Sequence, residues 1–80
     1  MNDRLRTCFA RALKLDAASA ARIDASTAAA DLPAWTSVTH LSLILEVERT
    51  FGVRFENAEV ASLGSVSAIL EALSARGVQA

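Results

Sequence analysis

The sequence predicts an all-α fold: a small bundle of three main helices plus one short helix, with a long loop between the first and second helices. Three observations carry this. The chain holds only three glycines in eighty residues, and much of its 52% hydrophobic content is alanine, a composition that favours helix over sheet. Apolar residues recur at i, i+3, i+4 and i+7 in three separate segments, the spacing of one buried helix face. No segment alternates apolar and polar residues as a half-buried strand does.

In the first segment the apolar set is Leu5, Cys8, Phe9, Ala12 and Leu13, and Asn2 or Asp3 can cap its start, which predicts a helix over about Asp3 to Leu15. Periodicity then fades from Asp16 to Thr36. Pro33 ends any helix before it, and Ile23, Leu32 and Trp35 are the isolated anchors that can pin this stretch to a core. A polar loop of such length inside a compact domain is functional or carries a short helical turn of its own. The second helix runs from Ser37 to Phe51 and stops at Gly52, suited to a left-handed C-terminal position. After the short extended link Val53–Phe55, residues Glu56 to Leu63 can form a brief helix. Ser65 then caps a last helix carrying Val66, Ile69, Leu70 and Leu73, closed by Gly77.

Eighty residues are expected to form one domain, residues 1–80, whose core supplies only about 3–5 kcal/mol net, with no material for a deep two-walled catalytic cleft. Eight basic residues against nine acidic ones give a net charge of −1, and the arginines are dispersed, so nucleic acid is not expected as a partner. One cysteine, Cys8, and one histidine, His40, cannot make a disulfide or a structural zinc site. No apolar run approaches the ~18 residues of a membrane span. Met1 to Leu15 is amphipathic and bears arginines, as transit peptides do, but it reads as the first helix of the fold. The expectation is a cytoplasmic monomer.

Plotted at about 100° per residue, the second helix has two apolar arcs. Leu43, Ile44, Val47 and Phe51, with His40 among them, form one; Val38, Leu41 and Leu45 form the other. One arc is enough for a core. The second either touches the long loop or is left exposed for a partner. Ser37 opens the same helix, where first-turn N–H groups lack intrahelical partners and the macrodipole adds positive charge. A phosphate esterified there is favoured by both effects. On position alone, the simpler reading that Thr36 or Ser37 merely caps the helix is favoured.

The run from Trp35 through Ser37, Leu41, Leu45, Glu46, Glu48 and Phe51 to Gly52-Val53-Arg54-Phe55 resembles the prosthetic-group helix of acyl carrier proteins. In that family an Asp-Ser-Leu motif starts the second helix, and a glutamate-rich turn, Phe and often Gly-Val end it. Leu5 to Leu15, the anchors Ile23 and Leu32, and Leu63-Gly64-Ser65-Val66 through Leu73 resemble the rest of the family pattern in order and spacing. The resemblance implies that Ser37 bears 4'-phosphopantetheine, attached by a phosphopantetheinyl transferase from coenzyme A. The arm's thiol would carry an acyl group as a thioester, loaded by an acyl ligase or acyltransferase and passed to a ketosynthase or other acyl-processing enzyme of fatty-acid, polyketide or related biosynthesis. It also implies that Val38, Leu41, Leu45, Glu46 and Glu48 lie on the partner-docking helix, and that His40 lines the inner acyl pocket. Thr36 stands where the family has aspartate and Val38 where it usually has leucine. Thr39 and Ser42 are neutral where the family is commonly acidic, which suggests a specialised carrier.

Other readings use the same residues. Ser37 and His40, three apart, share part of a helix face as a nucleophile and its base would, with Asp31 the nearest candidate to orient the base. A working triad also needs an oxyanion hole set in a cleft, for which eighty residues leave little material, so an enzyme is not expected. A plain docking module could use Leu41 and Leu45 without a cofactor. A stand-alone aminoacyl carrier would share the mechanism, although Leu32-Pro33-Ala34-Trp35 is not the glycine-rich approach typical of peptide-synthetase carriers.

Overall fold

The computed structural model describes residues 1–80, and the chain is all helical. Five α-helices follow in order: α1 (Asp3–Leu13), α2 (Ala17–Ala21), α3 (Ser37–Phe51), α4 (Asn57–Val60) and α5 (Val66–Ala75). A 3-10 turn occupies Ala29–Asp31. The three principal helices are α1, α3 and α5. The long loop carries short helical turns, as a loop of its length can; the five residues of α2 have no apolar period of their own to mark its place.

Each principal helix begins with a side-chain cap. Asn2 accepts from the N–H of Leu5 at 2.9 Å, Thr36 from Thr39 at 3.2 Å and Ser65 from Ala68 at 3.1 Å. α1 stops two residues short of the expected Leu15, because Lys14 turns left-handed at φ 54° and its N–H donates to the Ala10 carbonyl. α3 has the expected bounds. Gly52, at φ 67°, ends it where a side chain would be strained. The brief fourth helix covers only Asn57–Val60 of the expected Glu56–Leu63.

The core is one cluster, with Leu5, Phe9, Leu43, Val47, Val66, Ile69 and Leu73 fully enclosed at its centre. α1 lies along α3 and supplies all five of its expected core residues. From the loop, Ile23 and Trp35 are buried, while Leu32 packs against the cluster half-buried. Phe51, the last residue of the expected core arc, sits at the edge instead, half-buried beneath the Arg4 guanidinium 4.9 Å from its ring centre.

Two devices hold the long loop. The Arg6 guanidinium donates to the carbonyls of Ala20, Ala21 and Ile23 at 2.9–3.0 Å, placing a cation on the exposed carbonyls where α2 ends. Further on, Ala29 donates to the Gly64 carbonyl and Val66 to the Thr27 carbonyl, each at 2.9 Å, so the loop is stitched to the start of α5. Arg76 performs the same task at the other end: it pairs with Glu59, lies over the Phe55 ring at 4.7 Å and donates to the Arg54 carbonyl.

Candidate functional site

Ser37 is the first residue of α3 and its side chain is exposed. Thr36 is the cap. Its hydroxyl accepts from Thr39 N–H, while the Thr39 hydroxyl accepts from Thr36 N–H at 2.8 Å and donates to the Ala34 carbonyl at 2.7 Å. Threonine at the third helical position thus does what glutamate usually does in a capping box. Because Thr36 caps, the Ser37 hydroxyl is free for other chemistry. The N–H of His40 already closes the first turn on Thr36, leaving those of Ser37 and Val38 without an acceptor. An anion on the Ser37 oxygen would meet both of these groups and the positive end of a fifteen-residue helix. No acidic side chain lies in that turn to oppose it.

Beside Ser37 opens a groove of about 460 Å³ between the start of α3 and the α4 segment. Trp35, Thr36, His40, Leu41, Asn57 and Val60 form its main walls, and none of its lining residues is charged. A narrower groove of about 270 Å³, which shares Leu41, Asn57 and Val60 with the first, continues toward Phe55 between Leu45 and Glu48.

His40 stands where the groove meets the core. Trp35 Nε1–H donates to His40 Nδ1 at 2.8 Å, and His40 Nε2–H donates to the Val60 carbonyl at 2.8 Å. Indole can only donate and a carbonyl can only accept, so the ring must carry its proton on Nε2. The Trp35 ring stacks near His40 at 6.0 Å and meets Phe9 edge-on at 5.1 Å. The histidine therefore ties the loop, α3 and α4 together at one point. The pair of an indole donor and an imidazole acceptor five residues apart, spanning a helix start, was the available signal in the sequence.

This geometry bears on the nucleophile-and-base alternative. Both ring nitrogens of His40 are engaged, so no lone pair is free to take the Ser37 proton. Asp31 accepts from the Ala28 N–H at 2.9 Å, capping the 3-10 turn, and makes no hydrogen bond to His40. The three residues form no relay.

Of the expected docking residues, Val38, Leu41 and Leu45 stand on the surface with 76%, 60% and 52% of their area exposed, the three large apolar side chains most open to solvent. The loop does not cover them. Glu46 is half-buried and 3.9 Å from Arg49, a weak pair. Glu48 accepts from the Phe55 N–H at 2.8 Å and so braces the link after α3, a structural task in addition to any it has toward a partner. The thiol of Cys8 is buried and donates to the Thr50 hydroxyl at 3.3 Å; burial pushes its pKa above the ordinary value.

Comparison with protein-family models, curated proteins and solved structures gives no match for this chain. No group of metal-ligating side chains is present, and no helix is long and apolar enough to cross a membrane.

Proposed function

We propose that this protein is an acyl carrier protein of a specialised type, bearing 4'-phosphopantetheine on Ser37. The observation that carries this reading is the exposed Ser37 hydroxyl, released from capping by Thr36, at a helix start with two free N–H groups and an uncharged groove beside it. In the transfer, the Ser37 oxygen attacks the β-phosphorus of coenzyme A, the bond to 3',5'-ADP breaks, and the serine proton leaves with it. A phosphodiester anion remains on Ser37, which the free N–H groups of Ser37 and Val38 stabilise.

The arm's thiol then carries an acyl group as a thioester between enzymes. A phosphopantetheinyl transferase loads the arm, an acyl ligase or acyltransferase charges it, and a ketosynthase or similar enzyme consumes the product. Val38, Leu41 and Leu45 are the apolar centre of the docking face beside the arm, and Glu46 and Glu48 border it. Coenzyme A as the source of the arm fits a cytoplasmic protein.

Intact mass tests the proposal. Incubation with a broad-specificity transferase and coenzyme A should add the mass of one phosphopantetheine. No addition after treatment with several transferases would favour an unmodified docking module. Loading by an amino acid-activating ligase, and by no acyl ligase, would favour the aminoacyl carrier.

A further inference from the structure

We propose that the cargo of this carrier is a short acyl group held at the protein surface, because the hydrogen bonds joining Trp35, His40 and Val60 seal the interior against a long alkyl chain. The proposal rests on the carrier reading of Ser37 and adds to it the class of cargo.

From Ser37 the adjoining groove leads toward the core past His40, between α3 and the α4 segment. That way is closed by three residues acting together. Trp35 is buried against Phe9, His40 is fixed to it through Nδ1, and His40 Nε2 is fixed to the Val60 carbonyl. An entering chain would have to part α3 from α4 and break the hydrogen bonds of the Trp35 indole N–H and the His40 imidazole, leaving the Val60 carbonyl only the Leu63 N–H, and a hydrocarbon offers no partner in return. Behind this latch Leu43, Ile44, Val47 and Ile69 are buried in one cluster, so a chain that passed it would also have to part these side chains.

What remains is the groove outside the latch. It has room for the thioester end of the arm and a small acyl group, with the Thr36 hydroxyl and the Asn57 amide on its walls to meet polar atoms. A long chain could continue only along the narrower groove past Leu45 and Glu48, where water covers one side of it. Such a chain gains little from its carrier. A short one loses little by staying outside.

The test loads the protein with acetyl-, hexanoyl- and dodecanoyl-pantetheine from the corresponding coenzyme A thioesters, using a broad-specificity transferase, and measures the rate at which hydroxylamine cleaves each thioester. The expected rates agree within about twofold across the series, and the melting temperature does not rise with chain length. In His40→Leu, and in Trp35→Phe, which keeps the aromatic contact but removes the donor, the dodecanoyl thioester should become several-fold more resistant than the acetyl. Tenfold protection of the dodecanoyl thioester in the unaltered protein would overturn the proposal. Uniform rates in folded forms of both variants would overturn the role given to the latch. If no arm attaches, the mass stays unchanged and the carrier reading fails together with this one; a chain-length effect after loading defeats the cargo assignment alone.

Discussion

Leu41 and Leu43 are the same residue type two positions apart on one helix, and their replacement by alanine separates the two faces of α3. Leu43 is wholly enclosed, so Leu43→Ala should cost about 2–5 kcal/mol, combining lost burial with the cavity left behind. Leu41 keeps 60% of its area in water. About 0.4 of the ~1.5–3 kcal/mol assigned to a fully buried leucine is then at stake, roughly 0.6–1.2 kcal/mol, with a few tenths returned by alanine's helix propensity. In a domain of this size each kcal/mol moves the melting temperature by about 4–8 °C. Thermal unfolding followed by circular dichroism should therefore show Leu41→Ala within several degrees of the parent. Leu43→Ala should fall by at least about 10 °C, or be partly unfolded at the outset, since a core this small supplies only about 3–5 kcal/mol in total. Acyl loading should slow in Leu41→Ala while its fold persists. Equal destabilisation by the two substitutions would refute the division of α3 into a core face and an exposed face.

Thr36→Asp keeps a capping oxygen and adds a negative charge at the positive helix end, so the unmodified protein should gain about 0.3–1 kcal/mol in urea unfolding, and the gain should shrink once Ser37 bears a phosphodiester. By the family resemblance, the same substitution should speed modification by a broad-specificity transferase; equal rates would show the departure at position 36 to be neutral. Cys8 should resist thiol reagents at neutral pH until the protein unfolds, because its thiol is enclosed and burial disfavours the thiolate; rapid labelling of the native protein would contradict this. The pKa of Asp16 is lowered chiefly by the hydrogen bond from the Ser19 backbone N–H. Its contribution to stability is thus present above the ordinary carboxylate pKa of about 4 and is lost as pH falls through the lower folded value. Asp16→Asn retains the cap without the titration, so urea midpoints should fall less steeply below about pH 4 than in the parent.

Much of this fold was legible because its signals are local. The apolar spacing of Leu5, Cys8, Phe9, Ala12 and Leu13 marked the buried face of α1. Gly52 marked the end of α3, and Ser65 the start of α5. The two arcs of α3 were visible as well, but whether the second met the loop was not, since that depends on where the twenty-one residues from Asp16 to Thr36 run. Their path is set by contacts distant in sequence. Arg6 caps α2 from fourteen residues away, and Thr27 and Ala29 pair with Val66 and Gly64. A dispersed arginine reads as a solvated one until its acceptor is placed.

At the candidate site the position of Ser37 followed from the helix boundary alone. The part played by His40 did not. A histidine in an apolar arc fits a pocket wall as well as a hydrogen-bonded junction, and the placement of Trp35 and the Val60 carbonyl makes His40 both. Phe51 shows the opposite limit. Its spacing is that of a core residue, yet it falls at the last turn of α3, where the bundle ends and Arg4 covers it instead.

Ser37 is proposed as the one site of phosphopantetheine attachment. Tandem mass spectrometry of the proteolysed protein, after treatment with a broad-specificity transferase and coenzyme A, tests it most directly, with Ser37→Ala treated in parallel. A single modified peptide is expected, with the modification mapped to Ser37, and no modification of Ser37→Ala while its helical signal is unchanged. Modification at any other serine, or a modified Ser37→Ala protein, would contradict it.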